Sequence, residues 1–341
     1  MERTALPPAA RRLGWGVVGC GWVARDYGAP GIEASGNGRV AAVFDVDPAA
    51  SARLASNVLG GRAATRPSLA ALLDDPGVQA VYVATPNHRH LEAVEACAAA
   101  GKHVLCEKPM ATNLESARRM LAACEAAGVL YATAFDQRFH AAHRRLRDLV
   151  AGGVLGVVSQ ARVHYACWLP PDWAADNWRV DPRRAGGGAM IDLAPHGVDL
   201  ISMLLGDEWE RLVALTQHRV HGYEVDDGAV LVGRTRGGVV ASIQVAYNCP
   251  DSYPRRRLEL IGTRAMALAT DTMGQDPGGS LELIDAGTGR RSPVVIDPED
   301  DRSPFAAQAE AFAASALEGR PYSYPPGRDL RNFALLEDSC R

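Results

Sequence analysis

Short apolar runs alternate with amphipathic stretches from Trp15 to Phe135, the pattern of buried parallel strands separated by helices. Strands are predicted over Trp15 to Val18, Arg39 to Asp45, Val78 to Ala84, His103 to Cys106 and Val129 to Phe135. Helices are predicted from the glycine-rich turn after Val18 to about Ala34, then over Ser68 to Leu73, Arg89 to Ala100 and Leu114 to Ala127. Gly101 and Gly128 close the last two. The alternation predicts an α/β Rossmann domain, a doubly wound parallel sheet with right-handed crossovers.

After a helical stretch from His140 to Ala151 the texture changes to mostly strands, over roughly 155–167, 210–220, 226–235, 239–248, 256–261, 264–270 and 280–296. One helix, about Ala189 to Leu205, interrupts them. Turn signals such as Arg236-Gly237-Gly238 and Gly278-Gly279 separate the later runs and predict an α+β domain with a large, mostly antiparallel open sheet. Ala306 to Leu317 and Asp329 to Asp338 read as late helices, the first expected to pack on the nucleotide domain. The expected division is a mobile arm at 1–12, a dinucleotide-binding domain at 13–137, and a substrate-binding and oligomerisation domain at 138–341.

A chain of 341 residues with 47% apolar content can bury a large core and favours two domains. Its formal net charge of −4 gives no long-range attraction for nucleic acid or anionic membrane, so a small-molecule partner is expected. The seven cysteines form no C-x-x-C pair and no secretory leader precedes them, which implies a reduced, cytoplasmic protein. Cys106 fits a small buried hydrophobe at a strand end better than a catalytic thiol. No apolar run is read as a membrane span, because four glycines interrupt Leu13 to Ala24.

The first apolar strand runs into Gly19-Cys20-Gly21-Trp22-Val23-Ala24, a G-x-G-x-x-A turn, and the second ends at Asp45, 21 residues beyond Ala24. Gly19 permits the tight turn, Gly21 lets the backbone approach a pyrophosphate, and Ala24 allows close helix–sheet packing. Asp45 accepts ribose hydroxyls and repels a 2′-phosphate, which favours NAD, with NADP as the alternative should Arg62 or Arg66 approach. The loops Thr85-Pro86-Asn87-His88 and Glu107-Lys108-Pro109 fall at the C-terminal strand ends, where ligands of such sheets bind. His88 and His90 do not share a helical face and lack a completing ligand set, so no metal is expected.

Further on, Gly186-Gly187-Gly188-Ala189-Met190-Ile191-Asp192 leads to His196 four residues later. Lys108, Asp192 and His196 supply a cation, a carboxylate and a titratable base, the groups a carbinol–carbonyl redox step needs. Each alone has a structural reading: an i,i+4 ion pair adds only ~0.2–0.5 kcal/mol to a helix, and a lysine before proline can simply end a strand.

Taken in order, Gly19-Cys20-Gly21-Trp22-Val23-Ala24, Ala84-Thr85-Pro86-Asn87-His88, Cys106-Glu107-Lys108-Pro109 and Gly186 to His196-Gly197-Val198-Asp199 make the chain resemble the glucose–fructose oxidoreductase/inositol dehydrogenase (Gfo/Idh/MocA) family along nearly its whole length. The resemblance implies that Lys108, Asp192 and His196 match the family's catalytic lysine and D-x-x-x-H pair, and Asp45 its ribose-binding acid. The expected activity is NAD(P)-dependent interconversion of a secondary alcohol and a ketone on a sugar, cyclitol or related polyol. His196 is read as general base, Lys108 as donor to the reacting oxygen, and Asp192 as the group that orients substrate or tunes its two neighbours, with proton transfer shared between Lys108 and His196 left open. Gln137, His164, Trp168, Asn177, Trp178 and Tyr253 are candidate substrate contacts, since aromatic faces and amides suit a polyol. A homodimer or homotetramer is expected. The alternatives are a glycosidase that uses transient oxidation by bound NAD, and a non-catalytic ligand sensor.

Overall fold

The computed structural model describes residues 12–170 and 177–339, so Trp173 and all of the expected N-terminal arm except Arg12 lie outside the described residues. The chain forms two compact units. One takes the residues up to Ala111, Glu115–Ala134 and Phe305–Arg328; the other takes Thr112–Leu114, Phe135–Pro304 and the residues from Asp329 on. The division therefore falls at 134/135 rather than 137/138, and the chain returns to the first unit near its end.

The first unit is built on a six-stranded sheet in the order β3-β2-β1-β4-β5-β6. Its strands are β1 (Leu13–Val18), β2 (Gly38–Phe44), β3 (Ala64–Thr65), β4 (Ala80–Val83), β5 (His103–Glu107) and β6 (Tyr131–Ala134). All pairings are parallel. Every residue of β1, β4 and β6 is buried, as helices on both faces require. Those helices are α1 (Ala29–Ala34), preceded by a π-type turn over Ala24–Gly28, α2 (Pro48–Arg53), α3 (Leu69–Leu73), α4 (His90–Ala99) and α5 (Leu114–Ala126). The sequence pattern did not reveal α2 or β3: α2 starts on an Asp47 side chain that accepts from the Ala49 N–H and has Pro48 in its first turn, and β3 is only two residues long. The late helix Pro304–Glu318, α9, sets Phe312 against the fully buried Trp15, ring centroids 5.3 Å apart.

The second unit carries an eight-stranded sheet ordered β14-β13-β12-β11-β7-β10-β9-β8. The strands are β7 (Val158–Ala166), β8 (Trp209–Gln217), β9 (Gly228–Thr235), β10 (Val240–Ala246), β11 (Arg256–Gly262), β12 (Ala265–Thr270), β13 (Ser280–Asp285) and β14 (Arg291–Pro293). All neighbours are antiparallel except β7 and β10. The run expected as one strand over 280–296 is a hairpin, because the Asp285 carboxylate accepts from the N–H groups of Gly287 and Thr288 and turns the chain. Helices α6 (Ala141–Ala151), α7 (Pro182–Ala185), α8 (Ala189–Leu205) and α10 (Pro326–Asp338) complete the elements.

One face of this sheet is covered by α8. A Cβ at Gly197 would lie 2.8 Å from Ile243 and 3.3 Å from Val163, so helix and sheet approach at a distance only glycine permits. The stretch Pro182–Leu205 is in fact long and apolar enough to cross a membrane, contrary to the sequence reading, but 83% of its apolar window is buried inside the protein. It is a core helix.

Candidate active site

In the first unit the glycine turn follows β1 directly. Gly19 has φ +87°, and a Cβ there would lie 2.6 Å from the Ala84 carbonyl oxygen, so both conformation and space demand glycine. At Gly21 no described residue lies within 4 Å of the Cβ position, leaving the backbone open to a ligand. Asp45, just past β2, is tied to the turn: its Oδ2 accepts from the Cys20 N–H at 2.6 Å and its Oδ1 from the Asp47 N–H at 2.9 Å. Ala24 is fully buried, Val23 half-buried, and Trp22 47% exposed with its ring edge-on to Tyr27. An open glycine backbone, a helical turn and a strand-end carboxylate are the parts a dinucleotide needs, and they fit NAD. Arg66 is held on Asp75 at 2.6 Å and Arg62 lies 3.7 Å from Glu33, so both arginines already face carboxylates.

The two loops beyond β4 and β5 are joined by a residue that the sequence suggested only as a helix start. His90 is fully buried, with Nε2 3.0 Å from the Thr85 carbonyl and Nδ1 3.1 Å from those of Pro109 and Met110. Burial lowers its pKa against the raising effect of these carbonyls. Asn87 is 7% exposed and, with His88, lies in the short 3₁₀ turn after Pro86. Glu107 is 8% exposed; its Oε1 accepts from the Tyr82 hydroxyl at 2.5 Å and its Oε2 from the Lys108 N–H at 3.3 Å. Lys108 is half-buried and its peptide bond to Pro109 is cis. Burial pushes the fully buried Cys106 thiol well up, away from nucleophile chemistry.

In the second unit the Asp226 carboxylate caps α8, accepting from the Gly188 and Met190 N–H groups at 2.8 Å each. One turn further in, Asp192 Oδ2 accepts from the Tyr247 hydroxyl at 2.8 Å. Tyr247 is 1% exposed, and burial first, then Asp192, raises its pKa well above the ordinary phenol value. His196 is 4% exposed, its Nδ1 3.8 Å from Asp136 Oδ1 and its ring edge-on to Phe135 and Tyr165. The Gln137 amide donates to Asp136 Oδ2 at 3.0 Å and to the Gly274 carbonyl at 2.5 Å. Next to it the buried Arg138 donates to both Asp199 oxygens, at 2.8 and 2.6 Å, and to Asp329. Burial opposes that guanidinium's charge, and the two carboxylates override it. The turn carrying Asp136 is thereby fixed to α8 and α10.

The remaining sequence candidates are spread out. Gln137 is 1% exposed, with its amide nitrogen engaged as above. His164 alternates with Tyr165 along β7 and so points to the sheet face away from His196. Trp168 pairs with Asn248 in a single bridge and packs edge-on to His221 at 5.0 Å. Asn177 accepts from the Arg179 N–H at 3.1 Å, the Arg179 guanidinium lies 4.5 Å over Trp178, and Tyr253 is 61% exposed. Asp136, Tyr165 and Tyr247 went unread; the nearest signal was that Asp136 follows directly on a strand end. Among the described residues no group of three or more His, Cys, Asp or Glu could hold a metal ion.

Comparison with known proteins identifies the family of both units. Residues 13–135 match the oxidoreductase family, NAD-binding Rossmann fold, and residues 143–268 match the GFO/IDH/MocA C-terminal domain. The chain is 34% identical over 316 residues to 1,5-anhydro-D-fructose reductase of Ensifer adhaerens, covering 92% of this chain and 91% of that protein. It is 30% identical to D-xylose 1-dehydrogenase (NADP(+)) 2 of Haloferax volcanii, with 89% of each covered. The crystal structure of aldose-aldose oxidoreductase from Caulobacter crescentus, complexed with glycerol, superposes with a TM-score of 0.85 at 25% identity over 96% of each chain. With both domain models matched and relatives aligned almost end to end, the chain belongs to the Gfo/Idh/MocA family of oxidoreductases and has an NAD-binding Rossmann domain.

Proposed function

We propose that the protein interconverts a secondary alcohol and a ketone on a sugar, cyclitol or related polyol, with NAD preferred over NADP. The bound nicotinamide supplies or accepts the hydride. Gly19 to Ala24 and Asp45 hold the dinucleotide, and the loops Thr85 to His88 and Glu107 to Lys108 complete its site. Lys108 donates a hydrogen bond to the reacting oxygen, whose charge develops as its proton leaves. His196 takes that proton as general base, alone or shared with Lys108, and the Asp136 carboxylate 3.8 Å away stabilises the imidazolium that forms. Asp192, oriented by Tyr247, accepts from a substrate hydroxyl.

The observation that carries this reading is the environment of Asp192 and His196. A stabilising ion pair on a helix surface needs no buried partners, yet Asp192 is bound by a buried tyrosine and His196 sits beside a buried carboxylate. The names of the relatives, a reductase of an anhydro sugar and a dehydrogenase of xylose, support the substrate class. NAD is favoured because Asp45 would repel a 2′-phosphate while Arg62 and Arg66 face other carboxylates. The test follows reduced-cofactor absorbance across inositols, hexoses, anhydro sugars and their keto forms. Cofactor reduction by a polyol, or oxidation by its ketone, is expected. Glycoside cleavage without net cofactor change would favour the hydrolase alternative, and no turnover over the whole panel would favour the sensor.

A further inference from the structure

Arg255, Arg256 and Arg257 are consecutive, and only the middle one lacks a carboxylate among the described residues. Arg255 pairs with Asp251 at 2.7 Å and Arg257 with Glu259 at 2.5 Å. Arg256 begins β11 beside Tyr165 of β7, on the face whose next register pairs are Leu258 with Val163 and Leu260 with Ala161. A charged side chain stands at the end of an apolar row. Its guanidinium lies 6.0 Å from the centre of the Tyr165 ring, and that ring is edge-on to His196 at 5.6 Å.

The aromatic face compensates part of the charge but accepts none of the N–H donors in the guanidinium plane. Among the described residues Arg256 Nε is buried with no hydrogen-bond partner, and Nη1 packs so closely on Gly274 that a Cβ there would overlap it. The carboxylates nearby are already engaged, half-buried Asp192 by Tyr247 and buried Asp136 by Gln137. Arg256 opposes the effect of Asp192 on the Cys167 thiol, which burial pushes up to about 12, so guanidinium and carboxylate act on one neighbourhood. A buried donor such as Nε without an acceptor is costly unless a ligand supplies one.

We propose that Arg256 binds a carboxylate on the substrate, so that the preferred substrates are sugar acids rather than their neutral parents. The proposal rests on the oxidoreductase reading of Asp192 and His196 for its reaction, but not for its binding step. A single guanidinium fork matches a planar carboxylate in charge and geometry.

The test measures kcat/KM, and calorimetric binding to the protein with NADH, for uronates and aldonates, their neutral parent sugars and the corresponding sugar phosphates. Wild type is expected to prefer an acid over its neutral parent. Arg256→Met should lower the acid-to-neutral ratio roughly ten- to hundredfold, mainly through KM, and Arg256→Lys should retain part of it. Circular dichroism and the thermal midpoint of each variant report that it has folded. No preference for any acid in wild type, a ratio unchanged in Arg256→Met, or a preference for phosphates over carboxylates would each overturn the proposal. Acid binding that depends on Arg256 without any turnover would uphold it and sink the oxidoreductase reading instead.

Discussion

Replacing Asp45 by Asn separates two jobs that one carboxylate performs. Oδ2 and Oδ1 each accept one backbone N–H, from Cys20 and Asp47, and each keeps a lone pair for a ribose hydroxyl. Asparagine retains an oxygen for the Cys20 N–H but loses the charge. Charge-assisted hydrogen bonds exceed neutral ones by about 1 kcal/mol, so two to ribose would lose about 1–2 kcal/mol for NAD. Removing a carboxylate about 5 Å from a 2′-phosphate relieves up to about 3 kcal/mol at an effective dielectric near 20, and about 1 kcal/mol after solvent screening. The NAD-to-NADP affinity ratio should therefore fall by about 2–3 kcal/mol, roughly 30- to 150-fold. Calorimetric titration of both cofactors measures it. Asp45→Ala, which removes both acceptors of the turn, should weaken both cofactors as well. A ratio within about threefold of wild type in Asp45→Asn would refute the reasoning, as would a large change on Arg66→Ala.

Tyr247→Phe deletes the hydroxyl that orients Asp192; a lost hydrogen bond to a charged acceptor should lower kcat/KM roughly 10- to 100-fold with NAD affinity unchanged, and wild-type kinetics would remove Asp192 from substrate orientation. His90→Leu leaves the carbonyls of Thr85, Pro109 and Met110 without their shared partner, which should cost about 1–3 kcal/mol and lower the thermal midpoint. An unchanged midpoint would show that His90 does not join the two loops. Burial and the neighbouring His140 lower His143 from 6.5 to about 3. The unfolded chain therefore binds the proton first, and the stability present above pH 6.5 is lost as pH falls from 6.5 towards 3, at about 1.4 kcal/mol per pH unit. The urea midpoint should fall between pH 7 and 5, and His143→Gln should flatten the slope; a pH-independent midpoint would contradict the burial argument.

Local rules made much of the fold legible. Apolar runs bounded by glycine marked β1, β4 and β5, Gly101 and Gly128 closed α4 and α5, and the spacing from Ala24 to Asp45 joined a turn to the acid that the structure bonds to it. What could not be read depends on sheet register or on distant partners. Tyr247 reaches Asp192 across 55 residues, and Arg256 meets Tyr165 only because β11 pairs with β7. His164 and Tyr165 are adjacent in sequence, yet the pleat sends them to opposite faces, so a polar residue on the right strand was nominated in place of its aromatic neighbour. Asp136 gives no local sign of standing beside His196, because the Arg138 cluster that fixes its turn draws on residues 61 and 191 positions away.

The central claim is that Lys108 and His196 carry the proton and charge of the redox step. Its most direct test is turnover of Lys108→Met and His196→Asn on a substrate found in the polyol screen, with NAD affinity measured on the same preparations. Turnover should fall roughly 10²–10⁴-fold in each variant, with NAD still bound and the pH profile altered in His196→Asn. Near-wild-type turnover in both would contradict it.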